Sequence, residues 1–99
     1  MVLPEGLTHV TGFSYCRNLT SVSIPDTITA ISSDAFYYCT SLSDINALNN
    51  VINIYGNAFG NCSSLVNMVL GDKIERIDYG AFSGCTNLLS ITINATTPP

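Results

Sequence analysis

Positive charge is scarce in this sequence. Three basic residues, Arg17, Lys73 and Arg76, are spread over 99 residues against seven acidic ones, for a net charge of −4. A phosphate-binding surface needs clustered cations, so the expectation is no nucleic-acid partner. Histidine is scarcer still: His9 is the only one, and no Cys-x-x-Cys pair accompanies it. That combination does not resemble a zinc site, and a lone histidine is far more often a surface or turn residue than a catalyst. No apolar run approaches the length of a membrane span. The start, Met1-Val2-Leu3-Pro4-Glu5, has neither the basic region nor the apolar core of a secretory signal, so the signal of an exported parent would lie outside this chain. Charged residues make up only 10% and hydrophobic ones 46%, which excludes disorder on composition.

What the chain has is a period. Cys16, Cys39, Cys62 and Cys85 each fall 23 residues after the last, and Ala35-Phe36, Ala58-Phe59 and Ala81-Phe82 keep the same step. A period of this length marks a solenoid, in which each coil buries its apolar face only by stacking on its neighbours. The expected organisation is a single solenoid over residues 1–99. It comprises a partial, contracted coil at 1–15, full coils at 16–38, 39–61 and 62–84, and a partial coil at 85–99, as a fragment of a longer array.

Within each coil, cysteine is followed by two residues and then by apolar positions: Leu19, Val22 and Ile24; Leu42, Ile45 and Ala47; Leu65, Met68 and Leu70; Leu88, Ile91 and Ile93. The last two of each set alternate with polar residues, which predicts one short strand per coil and hence a parallel sheet. Its outward positions are Ser21 and Ser23, Asp44 and Asn46, Asn67 and Val69, Ser90 and Thr92. After the strand come apolar residues three apart, such as Ile28 and Ile31 or Val51 and Ile54, read as a bend or very short strand. Ala, Phe and Cys at i, i+1 and i+4 share one face of a helical turn, and the preceding Asp34, Asn57 or Gly80 suits a helix N-cap. A one-turn helical or 3₁₀ return segment is therefore expected, giving an α/β solenoid. In the first coil Val10 precedes Phe13 by three residues where Ile31 precedes Phe36 by five, so its return should be distorted.

The pattern Leu-x-x-Ile-x-Ile-Pro, then paired apolar residues, then Ala-Phe-x-x-Cys, resembles the BspA-like class of leucine-rich repeats. It is clearest from Leu19 to Pro25 and from Asp34 to Cys39, and covers almost the whole chain. The resemblance implies a right-handed parallel coil stack of the kind found in bacterial and protist surface proteins and associated with adhesion or protein binding. Ala47 departs from it, standing where the strand wants a larger apolar residue.

In-phase cysteines on parallel coils sit about 4.8 Å apart, wider than the Cβ separation of about 3.8 Å in a disulfide, so buried free thiols are expected. The charges Asp72, Lys73, Glu75, Arg76 and Asp78 read as a solvated patch of exposed pairs. Paired carboxylates for glycoside chemistry need a cleft, which a single row of coils does not supply. The tyrosines Tyr15, Tyr37, Tyr38, Tyr55 and Tyr79 read as cover for the core, with a sticky interface patch as the functional alternative, and the sequons at Asn18, Asn61 and Asn94 as a product of composition. No catalysis, cofactor or metal is expected. The functional expectation is a protein-binding or adhesion module of a cell-surface or secreted protein, with the sheet-face residues named above as the binding surface. The alternative is a structural spacer or virion component without specific recognition. Uncapped ends predict a larger array or self-association, through the strand remnant at Met1 to Leu3 and the coil of Leu88, Leu89, Ile91 and Ile93.

Overall fold

The structure is a computed structural model, and it describes residues 2–94. Met1, the end of the third sequon and the tail beyond Asn94 lie outside the described residues.

Every coil contributes apolar residues to the same interior, and the strands they form are short: β1 (His9–Val10), β2 (Ser21–Val22), β3 (Ala30–Ile31), β4 (Asp44–Ile45), β5 (Asn53–Ile54), β6 (Asn67–Gly71), β7 (Arg76–Ile77) and β8 (Ser90–Asn94). All pairs are parallel, and the chain makes a β-solenoid of about four turns. The unbroken ladder is not the expected one. It runs β1-β3-β5-β7 through the apolar residues spaced three apart. Its register is 23 residues, as in Ile31 opposite Ile54, and 21 where His9 meets Ala30. The contraction is absorbed between Val10 and Phe13, where Gly12 takes a φ of 91° and Phe13 still donates to the Ala35 carbonyl at 2.9 Å.

The expected sheet is split into β2-β4 and β6-β8. Ala47 is too small to fill the inward place, and Leu48 fills it instead, at 1% exposure. The register slips by one in consequence: Leu48 bridges Leu70, a step of 22. The Leu48 N–H donates to Val69 at 2.9 Å, and the Gly71 N–H donates to Leu48 at 3.1 Å. Gly71 permits this approach, because a β-carbon there would overlap the Asn49 backbone.

The return segments are turns. Among the described residues there is no helix, which corrects the expected helical return and the α/β class. The hydrogen bonds give the reason. Asp34, Phe36 and Tyr38 donate across to Gly56, Ala58 and Gly60 of the next coil at 3.1, 2.8 and 2.8 Å. Ala35, Tyr37 and Cys39 donate back three residues, each at 3.1 Å. A helix sends every N–H along its own axis; here alternate donors are drawn sideways to hold coil to coil. Left-handed backbone at Asp34 (φ 61°) and Tyr38 (φ 60°), at Asn57 (58°) and Asn61 (58°), and at Gly80 (79°) and Gly84 (75°) brackets each segment. The residues read as N-caps are therefore the left-handed corners of turns, a conformation that Asn, Asp and Gly tolerate best.

Inside, Phe13, Phe36, Phe59 and Phe82 form one stack, with ring centroids 5.5, 5.3 and 5.4 Å apart and planes within 10° of parallel. Beside it runs a column of free thiols, buried at Cys39 and Cys62 and partly buried at Cys16 and Cys85. Each reaches back one coil: the Cys39, Cys62 and Cys85 thiols donate to the Phe13, Phe36 and Phe59 carbonyls at 3.0, 3.1 and 3.0 Å. Each of these bonds spans 26 residues and recurs every 23, so packing and hydrogen bonding share one period.

Candidate functional site

The sheet-face residues fall into two groups, separated by the slip at Ala47 and Leu48. Ser21 and Ser23 lie on and after β2, Asp44 and Asn46 on and after β4, and with Val2 and Val22 they line an open concavity of about 280 Å³. Ser23, Asp44 and Asn46 are exposed and Ser21 is half-buried. The second group lies on β6 and β8: Asn67, Ser90 and Thr92 are exposed and Val69 is half-buried. Ser90 Oγ donates to Asn67 Oδ1 at 2.6 Å, tying the two strands on their outer side.

Asn46 has structural work as well. Where the ladder fails, Ile24 N–H donates to Asn46 Oδ1 at 2.6 Å and Asn46 Nδ2 donates to the Ile24 carbonyl at 2.9 Å. One side-chain amide thus takes the place of the missing strand neighbour and keeps two backbone groups satisfied. The surface of this group is short hydroxyls, an amide and one carboxylate, able to hydrogen-bond a partner's backbone or polar side chains and offering no large apolar anchor.

Chemistry of other kinds finds little to use. His9 shares a hydrogen bond of 2.9 Å with the Thr8 hydroxyl at an exposed site. Burial, then the neighbouring Cys85 and Cys39, push the Cys62 thiol up to about 12, so it remains protonated and inert at neutral pH. In the charged turn Arg76 pairs with Asp78, stands 5.6 Å from the Tyr55 ring, and is well exposed. Lys73 Nζ donates to Asn50 at 2.8 Å.

Three of the tyrosines read as core cover or a sticky patch gather into one cluster, a grouping not read from the sequence. Tyr15 and Tyr38 stack with centroids 5.3 Å apart and planes 5° from parallel. Tyr37 meets them edge-on, at 5.7 and 4.7 Å. The Arg17 guanidinium lies 5.8 Å from one stacked ring and 5.9 Å from the other. The available signal was phase: Tyr15 and Tyr38 are 23 apart, at the position that Asn61 and Gly84 occupy in later coils.

The period, the inward leucines and the stacked coils have counterparts among known proteins. The family described as "BspA type Leucine rich repeat region" matches residues 9–98. No curated protein matches the chain. Among solved structures it is similar to a leucine-rich cell surface protein from Faecalibacterium prausnitzii A2-165, with 24% identity and a TM-score of 0.63. That match covers 94% of this chain and 31% of the other, so the chain spans about a third of its length. It is also similar to the T. pallidum leucine-rich repeat protein, with 24% identity and a TM-score of 0.61 over 96% of this chain and 69% of that one. At such identities the likeness is one of fold.

Proposed function

The chain belongs to the BspA-type leucine-rich repeat family, and on that premise we propose that it is a non-catalytic protein-binding module, used in adhesion by a cell-surface protein. It carries a repeat fold typical of protein-interaction modules. The observation that carries the reading is the row of small polar side chains on the strand face, centred on the concavity at Ser21, Ser23, Asp44 and Asn46. A face without aromatic anchors binds weakly per coil and depends on many coils acting together. That suits a unit working within a longer stack, and the F. prausnitzii protein, about three times as long as the matched portion, supports it.

A second contact lies at the C-terminal coil. Ile77, Ile91 and Ile93 are 44%, 43% and 50% exposed, whereas their predecessors Ile54, Met68 and Leu70 are all 0%. A further coil, from the same array or a second copy, covers that face. Light scattering over a concentration range, with and without Ile91→Lys, tests it: a monomer indifferent to the substitution refutes self-association.

The sheet-face reading is tested on extracellular matrix proteins immobilised as an array. Binding by the chain should be lost on Ser23→Arg combined with Asn67→Arg, both exposed and one in each polar group of the face. Binding unaltered by that pair of changes refutes the face, and absence of binding to any matrix protein favours a spacer.

A further inference from the structure

We propose that the return side of the first two coils is a separate binding site, built from Tyr15, Tyr37, Tyr38 and Arg17, for an acidic segment of a protein partner. It shares no residue with the strand face, so either can fail alone.

The backbone first sets the cluster apart. Tyr15 and Tyr38 hold φ values of 62° and 60°. The left-handed region disfavours bulky side chains and suits Asn or Gly, and those are the residues at the equivalent Asn61 and Gly84. Folding alone would be served better by asparagine at both places. Two tyrosines stand there instead, in phase and stacked, and strain carried at a surface points to use.

The surface they make is firm. Tyr37 braces both rings edge-on and packs against Gly60, where a β-carbon would come within 2.8 Å of its ring. Tyr15 remains 55% exposed. Burial, then Tyr38, Tyr15 and Asp34, raise the Tyr37 pKa, so its phenol remains a hydrogen-bond donor. Rigid tyrosine with arginine is the composition that carries binding energy in protein interfaces.

Charge selects the partner. Of the three cations, Lys73 is bonded to Asn50 and Arg76 to Asp78. Among the described residues, the Arg17 guanidinium has only ring contacts. Its planar fork matches a carboxylate in bidentate fashion, and the phenols add donors beside it. The Asp34 carboxylate acts on Tyr37, so an anion is drawn to the Arg17 side of the cluster. An acidic sugar is the lesser fit, because Tyr15 and Tyr38 turn one ring face each toward the other, which removes those two faces from a pyranose.

The test titrates the full chain with poly-L-glutamate at low salt, with poly-L-lysine and hyaluronate as comparisons. Tyrosine emission is the readout, since the protein has no tryptophan and three of its five tyrosines lie in the cluster. Saturable binding of polyglutamate is expected, weakened at least ~10-fold by Arg17→Gln and, separately, by Tyr15→Asn with Tyr38→Asn. The asparagine pair should leave the thermal midpoint unchanged or raised. The proposal is overturned by absence of saturable polyglutamate binding, by equal binding in Arg17→Gln, or by preference for hyaluronate. A marked fall in midpoint on Tyr→Asn identifies the tyrosines as core cover and overturns it too.

Discussion

Phe59→Ala should remove a large share of this protein's stability, and more than the same change at Phe82. Phe59 is fully buried and lies between Phe36 and Phe82, with centroids 5.3 and 5.4 Å away and nearly parallel planes. Truncating such a side chain costs roughly 3–5 kcal/mol, of which about 0.5–1.5 kcal/mol per ring pair comes from stacking beyond area burial. Domains of this size have about 5–15 kcal/mol in total. In a coil stack, stability is a sum of repeats and nearest-neighbour interfaces. Phe59 serves two interfaces; Phe82 is half-buried and has one aromatic neighbour, Phe59. The loss at Phe82 should therefore be about half, roughly 1.5–2.5 kcal/mol by the same scale. Urea unfolding followed by far-ultraviolet circular dichroism reads both, as midpoint shifts at unchanged slope. With slopes of about 1–3 kcal/mol/M, Phe59→Ala should move the midpoint by about 1 M or more. Equal losses at the two positions, or less than about 1 kcal/mol at Phe59, would refute the coupled stack.

Alkaline pH should destabilise the fold through Cys62. Its pKa is raised from 9.0 to about 12, so its contribution is complete below pH 9 and is lost as pH rises from 9 toward 12, by at most about 1.4 kcal/mol per pH unit. Thermal midpoints between pH 8 and 11 should fall more steeply for the natural chain than for Cys62→Ala; parallel slopes would contradict the assignment. Asn46→Ala should cost about 1–3 kcal/mol, because it strands both the N–H and the carbonyl of Ile24. Denaturant midpoints check this, with exposed Asn67→Ala as a comparison expected within about 0.5 kcal/mol of the natural chain.

The period in the sequence carries most of the architecture. Repeating Phe36, Cys39, Leu42 and Ile31 at the same step identifies inward positions, since only residues with equivalent neighbours above and below can repeat in this way. What the period hides is the kind of local structure. Asp34, Asn57 and Gly80 suit a helix N-cap and a left-handed corner equally well, and the choice falls to hydrogen bonds with the next coil, which a single coil's sequence does not display. The β1-β3-β5-β7 ladder was legible only as a bend or very short strand in each coil, because two-residue strands are too short to alternate. Substituting Leu48 for Ala47 is visible only once both compete for one place in the interior. The sheet face was legible by alternation, and its division was not. Tyr15 and Tyr38 carried a signal in phase, obscured because amphipathic side chains commonly cover a core.

The unequal continuity of the two ladders gives the molecule a continuously paired side and an interrupted one. The β1-β3-β5-β7 ladder ties all coils by backbone pairing and acts as a spine, whereas the opposite wall is cut between β4 and β6 and spanned there by the Leu48 bridge. Between Asp44 on one wall segment and Asn67 on the next there is no strand pairing among the described residues, and the connection rests on the Leu48 bridge and the return turns. On the proposed binding reading, the interrupted wall presents its two polar groups to a partner as separate contacts.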